Sequence, residues 1–472
     1  MAGSCPGVAA LDRVEAILRN PELYELAALI PQPSREKGGR SRDYPDFMYL
    51  AYEALISVYA SARQVEAELA HKVVWKLMRR TVKKMFPDDE SMRLPSRPMR
   101  RHHYLYGRNR YLSNPAVLEG LAKLHRELAA GQARELGLMD PEEPGSWTHP
   151  HLSRMLYSDG KVITPLYKTK AGDEWVDKRT GEIKQRRYEP DADLHFEGTG
   201  EVAYGTKFVL VAVRSEEIRG RMILDLEWVP DKGGEAKVAM GCFQRLHPLV
   251  PGAQGVIYDT ALRGTHHQVL LREMGLMPVN RVTAAVAGSN KPRRAEGRRV
   301  EKSVHVEDRE IALTDGCKRT ARIYARGGAI GLGELTDKGE LDFVELPRMR
   351  THRNQDASGL FRWYNEYVLP ELYGGKHLTV RLYNNDEDAA CKFNRTENVR
   401  PIASSDPDFK KLYARRSDSE SINRGLEDTL YLNRAHSVGH ARQHVNLLGY
   451  ALMVNSLALH EHRQRRKLAA AA

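Results

Sequence analysis

The feature that most constrains this chain is the order of patterns between residues 154 and 275. "RMLYSDGKVITPLY" reads as a strand, and "DEWVDKRTGEIKQRRY" as a polar hairpin turning at Thr180-Gly181. "EVAYGTKFVLVAVRS" and "RGRMILDLEWV" are two further strands joined by a short turn. "EAKVAMGCFQRLHPL" is a short helix, "GVIYDTAL" a buried strand, and "THHQVLLREMG" a helix behind it. Strands followed by alternating helix and strand build an α/β layer, a mixed sheet flanked by helices. An acid closes the apolar part of the first strand and of the fourth.

The flanks have other textures. Residues 8 to about 140 carry apolar residues at three-to-four spacing, as in "DFMYLAYEALISVYASARQVEAELAHKVVWKLMRR". "NPAVLEGLAKLHRELAAGQARELG" opens with Asn114 as a cap and Pro115 at the first helical position. "MDPEEPGSWTHP" reads as a linker, and "VAGSNKPRRAEGRR" (286–299) as a basic link. From 298 to about 385 strand patterns recur every eight to twelve residues, as in a small antiparallel domain. Beyond 408 the pattern is helical again, and the terminal "KLAAAA" is low complexity. The expected segments are a helical basic domain (1–140), a first α/β segment (150–290), a β-rich block (298–400) and closing helices (405–464) that complete the α/β part.

A chain of 472 residues exceeds one ordinary core. No apolar run is long enough to span a bilayer, and the N-terminus lacks the basic-then-apolar pattern of a secretory leader. The four cysteines (Cys5, Cys242, Cys317, Cys391) have no paired spacing, which speaks for a reducing compartment and against a Cys-rich zinc site. A cytoplasmic protein is expected.

The formal net charge is +11, and it is clustered. Residues 71–110 hold twelve lysines and arginines against three acids, with Trp75, Tyr104 and Tyr106 interleaved. A solvated basic helix and loop would explain this, but the concentration of the excess in one segment favours phosphate and base contact. Arg79, Arg80, Lys83, Lys84, Arg100 and Arg101 are the candidate DNA contacts.

Asp is a poor strand former, so an acid at a strand end needs a reason. Asp159-Gly160 in "LYSDGKV" is also a turn dipeptide, and Asp259 in "GVIYDTALRG" would serve as a helix cap. Glu420 follows Ser417 at capping-box spacing, one turn from both Arg416 and Arg424. The order of the three acids suggests more. Two Asp on neighbouring strands and a Glu on a packed helix supply the hard oxygen ligands that Mg²⁺ takes, in a two-ion site for phosphoryl chemistry.

With these residues the chain resembles a DDE transposase of bacterial insertion sequences, in the branch whose β-rich domain is inserted between the second Asp and the Glu. Here 161 residues separate Asp259 from Glu420, and the strand-rich block falls between them. The branch's helix signature is tyrosine, arginine, catalytic glutamate and lysine. Tyr413, Arg416 and Glu420 match its spacing, while position 427 is Glu427 rather than lysine, with Arg424 a replacement cation. "GHARQHVNLLGYALMVNSLALHEH" is similar to the packing helix that ends such proteins.

The resemblance implies a ribonuclease-H-like core and Asp159, Asp259 and Glu420 as catalytic metal ligands. Mg²⁺, replaceable by Mn²⁺, would be held as two ions. It also implies double-stranded DNA as partner, contacts from Tyr413, Arg415, Arg416 and Arg424, a homodimer in the synaptic complex, and association with the nucleoid. The alternatives are a ribonuclease-H-like nuclease without strand transfer and a transposase-derived DNA-binding protein that has lost catalysis.

Other signals are discounted. "GGAIGLGEL" lacks the Walker lysine and sits among strands. His436, His440 and His444 recur every four residues with no acid or cysteine to complete a metal set, and read as surface or DNA-facing. Asp191 and Asp193 rival Asp159 as first acid, and Asp225 does so less strongly.

Overall fold

A computed structural model describes residues 8–32, 42–142, 145–196, 202–282, 303–313, 317–335 and 341–471. The basic link at 286–299 and Cys5 lie outside them.

The N-terminal region is helical, as its periodicity implies: α1 (Ala10–Arg19), α2 (Pro21–Ala27), α3 (Phe47–Tyr59), α4 (Ala62–Ala70), α5 (Lys72–Met85), α6 (Arg101–Gly107) and α7 (Pro115–Glu135). Asn114 caps α7 by accepting from the Ala116 N–H, with Pro115 at the first position. Then come β1 (Met155–Ile163), the hairpin strands β2 (Glu174–Val176) and β3 (Ile183–Gln185), β4 (Asp193–Phe196), β5 (Val202–Arg214), β6 (Arg221–Trp228), α8 (Glu235–Leu246), β7 (Gly255–Ile257), α9 (Gly264–Arg272) and β8 (Met277–Val279). A six-stranded sheet runs β4-β5-β1-β7-β8, with β6 also paired to β5. β7 is parallel to β1 and to β8, while β5 is antiparallel to β4 and β6, so the sheet is mixed.

The β-rich block forms two antiparallel sheets. β9 (Val304–Ala312), β10 (Lys318–Arg326), β11 (Ala329–Leu335) and β12 (Leu341–Glu345) make one, and β13 (Arg348–Gln355), β14 (Phe361–Val368) and β15 (His377–Arg381) the other. Gly327 and Gly328, at φ 59° and 94°, close the tight β10–β11 turn, which needs left-handed residues at both positions. The chain ends with α10 (Asp386–Ala390), α11 (Arg395–Asn398), α12 (Pro407–Tyr413), α13 (Arg416–Thr429) and α14 (His440–Ala471).

The chain packs as two compact units. One comprises 1–138, 160–249 and 420–472, and the other 139–159 and 250–419. The division falls inside β1, between Asp159 and Gly160, and inside α13, between Ser419 and Glu420.

In the first unit α14 is the central post. From Gln443 to Leu459 it is buried nearly all round, as a helix apolar on every face must be. It packs on α3, α1, α7 and β6. Gly449 permits the α3 contact, because a Cβ there would come 2.7 Å from the Glu53 backbone carbon. The buried Glu53 carboxylate accepts from Tyr104 Oη and Asn446 Nδ2, both at 2.7 Å, and burial pushes its pKa up. The N-terminal helices therefore share a core with α14.

In the second unit, residues around the expected linker are packed. Trp147 meets Trp363 edge-on at 5.0 Å, and the Arg353 guanidinium lies 4.0 Å from the Trp147 ring centroid. Burial pulls the Arg353 pKa down to about 10.

Candidate metal centre

β1 and β7 pair in parallel through Met155–Gly255, Leu156–Val256 and Tyr157–Ile257. Two residues beyond the last pair stand Asp159 and Asp259, at equivalent positions. Asp159 is not in a turn: β1 continues past it to Ile163. Asp259 is not the cap of α9, whose N-cap is Arg263. Its Oδ1 instead accepts from the Ala261 N–H at 2.8 Å and shapes the loop after β7.

That loop is held from β8. Asn280, 2 % exposed, donates from Nδ2 to the carbonyls of Asp259 (3.2 Å) and Leu262 (3.3 Å). Its Oδ1 accepts from Nε of the buried Arg400 at 2.9 Å. A side-chain amide satisfied at both ends fixes the aspartate's backbone.

A third carboxylate joins the two. Asp159, Glu235 and Asp259 are half-buried and offer oxygens that all lie within 4.8 Å of one another. Glu235 is the first residue of α8, where an acid suits the helix dipole. Its carboxylate lies against Gly160: a Cβ there would meet Glu235 Cδ at 2.6 Å and both its oxygens at 2.7 Å. The Lys207 ammonium on β5 pairs with Glu235. Three hard oxygen donors and a glycine at the close approach, with Lys207 beside Glu235, fit a divalent ion such as Mg²⁺.

Glu420 is the acid expected as the third ligand. It is exposed in the first turn of α13 and is not among those three carboxylates. Ser417 lies inside that helix and donates from Oγ to the Ala414 carbonyl at 2.6 Å. Glu427, at the signature's lysine position, is paired by Lys161 from β1. Asp191 accepts from the His440 N–H (2.7 Å) and Nδ1 (2.9 Å), which places it at the start of α14. Asp193 is exposed, and Asp225 is buried between Arg126 and Arg245. None of these rivals joins Asp159.

The basic segment separates into core and surface. Trp75 is buried, donating from Nε1 to the Pro95 and Ser96 carbonyls, and Tyr104 is fully buried on Glu53. These two rings are core rather than base-stacking surfaces, while Tyr106 is 62 % exposed. Arg79, Arg80, Lys83, Lys84 and Arg100 are exposed, and Arg101 is half-buried. Arg424 is exposed, while Arg416 and Tyr413 are half-buried. Arg415 bonds Asp418 at 3.2 Å, and Tyr413 stacks on Phe409 with the Arg281 guanidinium 5.4 Å from its centroid.

The histidine row also separates. His440 stacks on Trp228 at 3.7 Å, His436 meets the Thr429 carbonyl, and His444 is buried rather than at the surface. Compared with protein-family models and with curated proteins, the sequence matches none. Among the described residues no helix is long and apolar enough to cross a membrane.

Proposed function

We propose that this chain is a metal-dependent DNA-cleaving and strand-transferring enzyme of the DDE transposase type. The observation that carries the reading is the register of Asp159 and Asp259 on adjacent parallel strands, with Glu235 completing a carboxylate set. A mixed sheet with helices packed on it, and a β-rich block between the second Asp and Glu420, agree with a ribonuclease-H-like core carrying an insertion.

In this reading Asp159 and Asp259 would be metal ligands, with Glu235 or Glu420 as the third carboxylate. Mg²⁺ bound there supplies a Lewis acid for the attacking water or 3′-hydroxyl and for the leaving 3′-oxygen. Asn280 and Arg400 keep the Asp259 loop in place. Lys207 pairs Glu235 and limits repulsion among the three carboxylates. The exposed cations of α5 and the loop before α6 hold the DNA backbone and make binding salt-dependent.

Product analysis on duplexes taken from the DNA bordering the coding sequence tests this. A 3′-end label that moves into a second duplex in Mg²⁺ supports transfer. Cleavage without transfer assigns the chain to the nucleases, and binding without cleavage to the DNA-binding proteins.

A further inference from the structure

The β2–β3 hairpin has no place in the chemistry above, and it is unusually bare. It pairs with no further strand among the described residues. An isolated two-stranded hairpin is marginal in water, so an apolar face left uncovered on one calls for a partner. Val176 and Ile183 face each other across the ladder and are 58 % and 68 % exposed; Trp175, on the opposite face beside Lys184, is 41 % exposed.

The charges indicate which partner. The hairpin's acids are satisfied within it. Lys184 pairs with Asp177 (2.6 Å) and Glu182 (3.5 Å), Glu174 accepts from Gln185 (2.8 Å), and Asp173 accepts from the Lys170 N–H (2.8 Å). The cations are not. Lys178 and Arg179 at the turn, and Arg186 and Arg187 at the base, are exposed and pair with no carboxylate among the described residues. Arg186 and Arg187 spend one N–H each on the Glu174 carbonyl and the Tyr167 hydroxyl, which aims the guanidinium planes without neutralising them.

We propose that the hairpin Asp173–Arg186 is a DNA-contacting β-ribbon, seated in a groove of the duplex and resting on the reading of the chain as a DNA-processing enzyme. A two-stranded ribbon fits the major groove. Lys178, Arg179 and Arg186 take phosphates, and Val176 and Ile183 are covered by the groove wall, whose thymine methyls are apolar. A second copy of this chain would cover the apolar pair but would leave the cations without counter-charge.

The test is anisotropy of a labelled 30-base-pair duplex against salt. The proteins are wild type, the triple variant Lys178→Gln/Arg179→Gln/Arg186→Gln, and the double variant Val176→Ser/Ile183→Ser, with light-scattering mass alongside. All five side chains lie outside the buried core, so melting temperatures should coincide. The triple variant should lose about two to three units of the log K against log salt slope and bind roughly tenfold more weakly. The double variant should weaken binding with the slope kept. Equal affinity and slope in all three proteins, with wild type binding and cutting, overturns the ribbon alone. A fall in mass with DNA affinity kept also overturns it, in favour of a subunit contact. Failure of wild type to bind any duplex overturns the underlying reading as well.

Discussion

Gly160 leaves the space that the Glu235 carboxylate occupies: a Cβ on Gly160 would lie 2.6 Å from Glu235 Cδ. The glycine is needed for that close approach, because its φ is not in the left-handed region. Gly160→Ala should therefore displace Glu235 and disturb its pairing with Lys207. Mn²⁺ affinity by calorimetry should fall roughly tenfold, the scale seen when a ligand's support is removed. An unchanged affinity would remove Glu235 from the cation site.

The third acid can be decided by comparing Glu235→Gln with Glu420→Gln. The closeness of its carboxylate to those of Asp159 and Asp259 favours Glu235, and the signature around Tyr413 and Arg416 favours Glu420. Loss of Mn²⁺ binding on Glu235→Gln, with Glu420→Gln near wild type, is the expected outcome for the protein without DNA. If Glu420 approaches only with substrate, Glu420→Gln will bind the ion normally and still fail to cut.

Asn455 in α14 acts as a one-residue strand. Its Oδ1 accepts from the Ile223 N–H at 2.8 Å and its Nδ2 donates to the Ile223 carbonyl at 2.9 Å, both buried on β6. Asn455→Leu leaves both backbone groups unsatisfied and should cost about 2–5 kcal/mol. Chemical denaturation would show this as a lower midpoint with the slope kept.

Buried histidine sets an acid limit. Burial pulls the His444 pKa down to about 3, helped by positive charge from His440, His125, Arg126 and Arg245. Nε2 finds no hydrogen-bond partner among the described residues. Unfolded, the imidazole titrates near its ordinary value of about 6.5. Between those values the unfolded chain binds the extra proton, so stability is intact above about 6.5 and falls as the pH drops towards 3. His444→Phe, which keeps a ring against Phe208, should flatten that loss by roughly 1 kcal/mol per pH unit. Melting temperatures at pH 7.5 and 5 would show it.

Much of the fold was legible because local signals were strong. The Thr180-Gly181 turn forms with Gly181 at φ 73°, Asn114 caps α7, and "GVIYDTAL" gives β7 and the Asp259 loop. The juxtaposition of Asp159 and Asp259 was expected from their strand ends. Glu235 was not, because a glutamate opening a helix is the commonest sight at that position and nothing local marks what lies opposite. The burial of Trp75, Tyr104 and His444 was missed for a related reason. Basic residues stand within three positions of each (Lys76, Arg101, Arg442), while the rings that pack on them come from distant elements: Tyr44 on Trp75, Tyr52 on Tyr104 and Phe208 on His444. The sharing of one core by α3 and α14 is likewise a long-range fact, carried by Glu53, Asn446 and Gly449 rather than by any local pattern.

The most direct measurement is Mg²⁺-dependent cleavage of duplexes bordering the coding sequence by wild type, Asp159→Asn and Asp259→Asn, with duplex affinity measured on the same preparations. The account predicts that each substitution slows cleavage roughly a hundredfold or more while affinity stays within about threefold. Cleavage by either variant at the wild-type rate would contradict it.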